Sequence, residues 1–337
     1  MKKILFTIPL FIFSLIGDAS TAPFSMRPDV HAYITSVSQQ YGFNELRLDE
    51  CFNTVQIQPA IITSITKPYE KKPWNIYEKL FLQEKRVQEG VRFFMQHRAI
   101  LDSAEKKYGV PAPIIVAILG VETYYGVEQG KYRVLDALST LSFDYPPRAP
   151  FFRKELTEFL LLCRQLDLDP TTVQGSYAGA IGQPQFMPSS YRHYAIDASG
   201  DLASMSSNIG LSDLRGNPHD AIYSVANYLK KNGWRADEPI ATPAKIEGNA
   251  YQQLNSAAKT PVYTMEELKA HGVTPLYYPP VIPEKPVGLV KLETTGMPEY
   301  WIGFNDFYVI TRYNTSQQYA MAVFLLAAEI QRGMGIH

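Results

Sequence analysis

Apolar residues recur every three or four positions over much of the first two thirds of the chain. In the clearest case Phe152, Leu156, Phe159, Cys163 and Leu166 fall on one stripe. This spacing predicts an amphipathic helix with the stripe turned towards a core.

Three other stretches carry the same period. A helix is predicted to begin near Pro218 and to stop at Gly233, with lysines in its last turn. A stretch from Val87 to Met95 predicts another, which either continues through Leu101 or breaks before it. A last helix is predicted from Thr315 or Ser316 to Arg332, ended by Gly333.

The pattern changes between about residues 238 and 298, where prolines and short polar runs replace the helical period. We expect this region to be rich in loops and partly β. Two aromatic and β-branched runs follow, Tyr300 to Phe304 and Phe307 to Arg312. Their junction at Asn305-Asp306 predicts a β-hairpin.

Composition places the chain among ordinary globular proteins. Its 337 residues are 46% hydrophobic and 19% charged, with a formal net charge of -1. Nucleic-acid binding usually needs a strongly positive surface, so we expect no nucleic-acid partner.

Residues 1–22 have the pattern of a secretory signal peptide. Two lysines precede an apolar run that is too short to span a bilayer comfortably, and small residues follow at Ala19 and Ala22. The alternative is an uncleaved membrane anchor. Either interpretation predicts export, and we expect a periplasmic protein.

The chain has two cysteines, Cys51 and Cys163, and neither follows closely behind the apolar run. A lipid anchor is therefore not expected. A disulfide between them stays open, but the position of Cys163 on an apolar helix face favours a buried thiol.

The segment from Pro113 to Gly126 carries the most informative carboxylate. On a helix, Glu122 shares a face with Ile115, Ile118 and Leu119. Burial against that face and the negative end of the helix dipole both raise the pKa of a carboxyl group, which would leave an acid partly protonated near neutral pH. The alternative is a structural ion pair with an arginine.

A second segment, from Gly175 to Tyr191, concentrates glycines with amide, hydroxyl and aromatic side chains. Ser176, Tyr177, Gln185 and Tyr191 belong to it. Amides and hydroxyls bind sugar hydroxyls, and aromatic rings cover the apolar faces of sugars, so the segment favours a glycan-binding groove. A tight loop packed on the core is the alternative.

Four motifs in order resemble the membrane-bound lytic murein transglycosylase B family. They are the Glu122 segment, Ser142-Phe143-Asp144-Tyr145-Pro146, the Ser176 to Tyr191 segment, and Phe307 to Asn314 with Tyr319 to Val323. The resemblance covers about residues 74 to 330. Four motifs in register are much more specific than any one of them.

The resemblance implies an α+β, mainly α fold: a goose-lysozyme-like catalytic core, a helical domain from both chain ends and a small β region. We expect the N-terminal part of the helical domain at 23–98, the catalytic core at 99–235, and the β region with the C-terminal helix at 236–337.

The resemblance also implies a lytic transglycosylase that cleaves the bond between N-acetylmuramic acid and N-acetylglucosamine. Glu122 would be its single general acid and base, and the product would carry a 1,6-anhydromuramoyl end. By position, Ser176, Gln185, Tyr313, Asn314 and Tyr319 match family residues that line the groove. Gln183-Pro184 departs from the family pattern and puts the shape of the loop in doubt.

Relatives of the family can carry calcium at the place where this chain has Asp197, Ser199 and Asp201, with Asp220 further on. Such oxygen ligands suit Ca²⁺, but Leu202 replaces the usual glycine of the turn. A structural Ca²⁺ and a solvated acidic turn both stay open, and no cofactor is expected to be required.

The six histidines show no metal-ligand spacing. Peptidoglycan glycan strands are the expected partner, with other cell-wall enzymes as further candidates, and we expect a monomer. A lysozyme-type hydrolase and a wall-binding protein without turnover are the alternatives, since both would keep the same carboxylate and groove.

Overall fold

The computed structural model describes residues 23–66, 72–198, 212–279 and 285–335. The predicted signal peptide at 1–22 lies outside them. Two compact units divide the chain, at residues 1–54 and 55–337. The fold is mainly helical with two small antiparallel sheets, which confirms the expected α+β, mainly α class.

The described residues form fourteen α-helices, numbered in chain order. They are α1 (Pro28–Tyr41), α2 (Glu45–Asn53), α3 (Pro59–Thr66), α4 (Trp74–Tyr77), α5 (Glu84–Gln96), α6 (Arg98–Tyr108), α7 (Ala112–Thr123), α8 (Val134–Phe143), α9 (Ala149–Gln165), α10 (Pro188–Tyr194), α11 (Pro218–Lys231), α12 (Met265–Ala270), α13 (Asn305–Tyr313) and α14 (Gln317–Gly333). None of these helices combines the length and the hydrophobicity of a membrane span.

The described strands number six. They are β1 (Tyr132–Arg133), β2 (Gln174–Gly175), β3 (Ala241–Ile246), β4 (Val273–Pro275), β5 (Gly288–Leu292) and β6 (Glu299–Gly303).

In the first unit α1 and α2 pack on each other. Ile34 of α1 and Phe52 of α2 are fully buried. Gly42, at a left-handed φ of 68°, ends α1, and the side chain of Asn44 accepts a hydrogen bond from the N–H of Arg47 to start α2. A glycine and an asparagine at these two places are the usual helix stop and start signals.

The helices predicted from the apolar period are confirmed in the second unit. The stripe from Phe152 belongs to α9 and the stretch from Pro218 to α11, while the last helix is α14, capped by the Ser316 side chain. The stretch from Val87 breaks at His97, which separates α5 from α6. Cys163 is buried on α9, as its position in the stripe predicts.

Helix α7 is the central element of the second unit. Ile115, Ile118 and Leu119 are fully buried, and buried apolar residues occupy every face of the helix. A helix that is apolar all round must be enclosed by other elements. Here α5 and α14 pack against it, so the C-terminal helix helps to cover the core of the unit.

Two glycines let these helices approach closely around one aromatic ring. A Cβ at Gly120 of α7 would lie 2.6 Å from the ring of Tyr125, and a Cβ at Gly90 of α5 would lie 2.5 Å from its hydroxyl. The ring stacks on Phe93, with centroids 5.7 Å apart. The absence of side chains at both glycines therefore creates the slot that holds Tyr125.

The larger sheet has the strand order β4-β3-β6-β5 and is antiparallel throughout. Leu289 of β5 and Ile302 of β6 stand opposite each other and join a small buried cluster with Leu268 and Val273. This sheet confirms the β content expected between residues 238 and 298.

The predicted hairpin at residues 300–312 is wrong in its second half. Tyr300 to Gly303 lie in β6, but Asn305–Tyr313 form helix α13. Phe307 to Thr311 are all buried, so core packing on several faces outweighs the β-propensity of their side chains. Asp306, in the first turn of the helix, accepts a hydrogen bond from the N–H of Arg235.

We predict that Gly120→Ala destabilises the protein by about 1 to 3 kcal/mol, because the added methyl group collides with the Tyr125 ring. Helix propensity alone would give the opposite sign, about 1 kcal/mol of stabilisation. Denaturant unfolding of the variant measures the difference. Gly296→Ala, in a loop, is the control for an added methyl group without a collision, since the atom nearest to it would be the Thr294 hydroxyl at 3.8 Å. A more stable Gly120→Ala protein would contradict the packing account.

We predict that Asp306→Asn flattens the pH dependence of stability. Burial raises the pKa of Asp306 to about 7. The folded state therefore keeps a proton that the unfolded chain releases near pH 4, and the free energy of unfolding falls as the pH rises from about 4 to about 7. Asparagine stays neutral, so the free energy of unfolding of the variant should not show this fall. Relative to wild type, the variant should therefore be more stable near pH 7 than near pH 4.

Denaturant unfolding at several pH values measures this slope. Asp102→Asn, at an exposed carboxylate of α6, is the control and should keep the wild-type slope. Parallel curves for wild type and Asp306→Asn would show that Asp306 does not titrate in this range.

Candidate functional site

Glu122 lies in the last turn of α7, on the side that carries Ile115, Ile118 and Leu119, and it is half-buried. The structure therefore confirms that this carboxylate lies beside the apolar face of the helix. The end of the helix differs from the expectation: α7 stops at Thr123, and Tyr124 rather than Gly126 is its C-cap.

The turn after Glu122 has a costly backbone conformation. Tyr124 and Tyr125 have φ values of 52° and 61°, in the left-handed region that costs a non-glycine residue about 1 to 3 kcal/mol. Packing compensates for this cost. The Tyr125 ring fills its slot between Gly90 and Gly120, and its hydroxyl donates to the carbonyl of Arg86 at 2.8 Å.

Arg86 of α5 is a residue that sequence analysis did not identify. Its guanidinium lies 4.7 Å from the centroid of the Tyr124 ring and donates to the carbonyl of Gly120, in the last turn of α7. A cation near a helix C-terminus is favourable because exposed carbonyls collect there. Arg86 thus stabilises the turn next to Glu122, although nothing in its own sequence context marks it.

Tyr319, in the first turn of α14, contacts Glu122 directly. Its hydroxyl donates a hydrogen bond to Oε1 of Glu122 at 2.6 Å. Burial raises the pKa of Tyr319 well above its usual value, and the negative charge of Glu122 raises it further. The phenol therefore stays protonated at neutral pH and can donate this hydrogen bond.

Two more tyrosines pack near Tyr319. Tyr228, Tyr313 and Tyr319 together are called the phenol cluster. The ring of Tyr313 stacks on that of Tyr319 with an interplanar angle of 11°, and Tyr228 of α11 meets Tyr313 edge-on at 4.8 Å. Burial and the charge of Glu122 raise the pKa of both phenols. Tyr228 was missed by sequence analysis, because it lies beside the apolar stripe of α11 and reads as an extension of the core.

The loop between residues 181 and 186 is closed by two backbone hydrogen bonds between Ile181 and Phe186. The Thr123 hydroxyl donates to the carbonyl of Gln183 at 2.8 Å, and the Tyr313 hydroxyl donates to the carbonyl of Pro184 at 2.6 Å. Gln183-Pro184, the departure from the family pattern, therefore supplies the two carbonyls that join the loop to α7 and α13.

Two of the predicted groove residues, Ser176 and Gln185, hydrogen-bond to backbone groups in and beside this loop. Ser176 Oγ accepts from the N–H groups of Ala178 and Ala180, and Gln185 Nε2 donates to the carbonyls of Gly182 and Gln129.

Three groove candidates remain. Asn314 Oδ1 accepts from the N–H of Ser316 at 3.1 Å, and Tyr177 is 37% exposed. Tyr191 is only 4% exposed, and its hydroxyl joins the carbonyl of Ser212 to the N–H of Leu214. This placement gives Tyr191 a packing role, whereas Tyr177 is open to a ligand.

The predicted calcium ligands are only partly described. Ser199 and Asp201 lie outside the described residues. The Asp220 carboxylate is buried and accepts hydrogen bonds from the N–H groups of Ala198 and Asp213. Among the described residues no three acidic, histidine or cysteine side chains are grouped to hold a metal. The Asp220 carboxylate therefore clamps the two chain segments with its own hydrogen bonds.

Residues 25–328 match the Transglycosylase SLT domain family. The chain is similar to membrane-bound lytic murein transglycosylase B of Escherichia coli (strain K12), at 39% identity over 317 residues, which cover 91% of this chain and 84% of the relative.

Two solved structures are similar over most of the chain. Soluble lytic transglycosylase SltB1 from Pseudomonas aeruginosa has 44% identity and a TM-score of 0.82, with 91% of this chain and 100% of that one covered. SltB3 from Pseudomonas aeruginosa, in complex with NAG-anhNAM-pentapeptide, has 30% identity and a TM-score of 0.74, with coverage of 89% and 79%.

We predict that Tyr319→Phe destabilises the protein more than Tyr313→Phe does. Each change deletes one phenol hydroxyl from the same aromatic stack, but Tyr319 donates to a carboxylate and Tyr313 to a neutral carbonyl. Hydrogen bonds to charged groups contribute about 1.5 to 3 kcal/mol, against about 1 kcal/mol for neutral ones. Denaturant unfolding measures both, and a double-mutant cycle with Glu122→Ala, which removes the acceptor, isolates the pair. A coupling near zero would contradict the contact.

Proposed function

The chain belongs to the lytic murein transglycosylases of the Transglycosylase SLT domain family, and we propose that Glu122 is the single general acid and base of its reaction. The enzyme acts on peptidoglycan. The observation that carries the proposal is the position of Glu122: a half-buried carboxylate held by the Tyr319 hydroxyl, at the edge of a loop that is rich in sugar-binding side chains.

In the first step Glu122, protonated, gives its proton to the oxygen between N-acetylmuramic acid and N-acetylglucosamine. The bond from the anomeric carbon to this oxygen breaks, and the glucosamine part leaves as an alcohol. Glu122 is then a carboxylate. A half-buried site strengthens its interaction with the positive charge that develops on the muramoyl ring.

In the second step the Glu122 carboxylate takes the proton from the C6 hydroxyl of the same muramoyl residue. The C6 oxygen bonds to the anomeric carbon and closes a 1,6-anhydro ring. No water is consumed, and Glu122 is protonated again for the next cycle. The muramoyl N-acetyl group can support the positive charge between the two steps, which removes the need for a second carboxylate.

The phenol cluster suits this exchange of protons. Because burial and the Glu122 charge raise the pKa of Tyr228, Tyr313 and Tyr319, all three stay neutral at neutral pH. Tyr319 can donate to Glu122 Oε1 without competing for the catalytic proton, and its fixed bond orients the carboxyl group. Tyr319 is thus a positioning residue as well as a candidate for sugar contact.

A lysozyme-type hydrolase would use the same acid with a positioned water. In inverting glycosidases a second carboxylate stands about 6.5 to 9.5 Å away and activates that water. Membership of the lytic murein transglycosylases favours the reaction that closes the anhydro ring.

For substrate contacts we propose Ser176, Tyr177, Gln185 and Asn314, together with Tyr313 and Tyr319. Gln185 has a φ of 49° and is held by two hydrogen bonds, so its loop is rigid before substrate arrives. A rigid site loses little entropy on binding. Tyr177 has an exposed ring suited to the apolar face of a sugar.

We also propose export to the periplasm through the segment at 1–22, action as a monomer, and cooperation with other cell-wall enzymes, which together would bring the enzyme to its glycan substrate. A structural Ca²⁺ near Asp197 and Asp220 stays a proposal. A rise in melting temperature on adding calcium, reversed by a chelator, would support it, and an unchanged melting temperature would remove it.

We predict that Glu122→Gln loses about 100-fold or more of its rate of sacculus lysis, because removal of a general acid and base costs on the order of 10² to 10⁴ in rate. Folding and sacculus binding are expected to persist, since glutamine has the same shape. Turbidity loss and a sacculus pull-down measure the two properties. Glu128→Gln, at an exposed glutamate six residues further along the chain, is the matched control and should lyse normally.

Mass spectrometry of the wild-type digest identifies the reaction. The transglycosylase releases muropeptides with 1,6-anhydro ends, while a hydrolase releases reducing ends that are heavier by one water. A digest with reducing ends alone, or normal lysis by Glu122→Gln, would contradict the proposed mechanism.

A further inference from the structure

A cavity of about 500 Å³ opens where α13 meets α14. Its lining also includes the loop at residues 257–259 and the end of β5. The side chains that the proposal uses are Lys259, Lys291, Glu293, Arg312 and Gln317. Neither Glu122 nor the three tyrosines of the cluster belong to this lining, so the cavity is separate from the catalytic carboxylate.

Positive charge dominates this cavity. Lys259, Lys291 and Arg312 line it, and Glu293 lies 2.6 Å from Lys291. Among the described residues no carboxylate forms an ion pair with Lys259 or Arg312. Cations that share one concave surface raise the local concentration of anions. The N-terminus of the 17-residue helix α14, at the same place, adds to the positive potential.

The cavity is adjacent to the Glu122 site through one short segment. Arg312 lines the cavity and is followed by Tyr313 of the phenol cluster, and its carbonyl accepts a hydrogen bond from Tyr228 at 2.6 Å. The charges of Arg312 and Glu122 shift the pKa of Tyr228 in opposite directions. The Tyr228 phenol is therefore close enough to both Arg312 and Glu122 for each charge to affect it.

We propose that this cavity binds the carboxylate-bearing peptide stem of the muramoyl residue that is cleaved at Glu122. The inference rests on the proposed function, because it places the glycan at Glu122. In peptidoglycan the stem is attached to the muramoyl ring, so it starts beside the bond that breaks. An extended peptide advances about 3.3 to 3.6 Å per residue, and a few residues reach a neighbouring cavity.

The chemistry of the lining fits such a stem. The planar guanidinium of Arg312 can pair with a carboxylate through two hydrogen bonds, while Lys259 and Lys291 act as point charges. The amide nitrogen of Gln317 already donates to the carbonyl of Ser256 at 2.8 Å, and its amide oxygen can accept from the peptide backbone. An uncharged peptide would gain little from these cations. The site therefore selects strands that keep their acidic stems.

Kinetics on two substrates test the proposal. One substrate is purified glycan strands with their peptide stems, and the other is the same strands after an amidase has removed the stems. The variants are Lys259→Glu and Arg312→Gln, with Arg312→Lys as the conservative change. Lys106→Glu is the matched control, because Lys106 is an exposed lysine on α6, away from the lining.

For each protein the ratio of kcat/KM on stem-bearing strands to that on bare strands is the readout. We expect Lys259→Glu and Arg312→Gln to lower this ratio about fivefold, mainly through KM, since a partly exposed ion pair contributes up to about 1 kcal/mol. Arg312→Lys should recover part of the ratio, and Lys106→Glu should keep it. An unchanged ratio in both variants would overturn the proposal, while lysis and anhydro products from the wild type would leave the function of Glu122 intact.

A direct binding measurement tests whether the cavity recognises the carboxylates of the stem peptide. A synthetic stem peptide is titrated into Glu122→Gln protein, and amide chemical shifts are followed. We expect shifts at residues 257–259 and 312–317 that weaken with added salt and are lost with a peptide whose carboxylates are amidated. Equal binding of the amidated peptide, or shifts confined to other residues, would overturn the proposal.

Discussion

The hydrogen bond from Tyr319 to Glu122 is the contact on which the site depends. It joins the end of the core helix α7 to the start of the C-terminal helix α14. A half-buried carboxylate needs such a donor, because its charged form would otherwise lose solvation without a replacement. The two tyrosines that pack behind Tyr319 keep the donor in place, and they tie it to the loop at Pro184 and to helix α11. The Tyr319–Glu122 bond and the contacts of the two other tyrosines thus join four parts of the chain.

The turn after Glu122 shows how strain and packing are balanced. Two consecutive tyrosines in the left-handed region would be unfavourable in an isolated peptide. Here the missing side chains of Gly90 and Gly120 make room for one ring, and Arg86 stacks on the other. The backbone after Glu122 therefore leaves the helix in one direction only. The Thr123 hydroxyl fixes that direction by bonding to the groove loop at Gln183.

Much of the fold could be predicted because helices with one buried face repeat their apolar residues at a helical period. The stripe of α9, the limits of α11 and the cap of α14 follow from local signals that the folded chain keeps. Helix α13 could not be predicted, because its residues favour strands and only the surrounding core makes them helical. The residues of the site likewise include some that the sequence reveals and some that it does not. Glu122 stands out as a carboxylate among apolar residues, but Arg86 and Tyr228 reach the site through tertiary packing and look ordinary in the sequence.

The separation of Glu122 and Tyr319 along the chain, 197 residues, has a consequence for biosynthesis. The ribosome makes the carboxylate long before it makes the phenol that orients it, and α14 is the last described helix. A growing or truncated polypeptide that lacks this helix has the acid without its partner. The Tyr319–Glu122 contact therefore forms only after helix α14 has been synthesised.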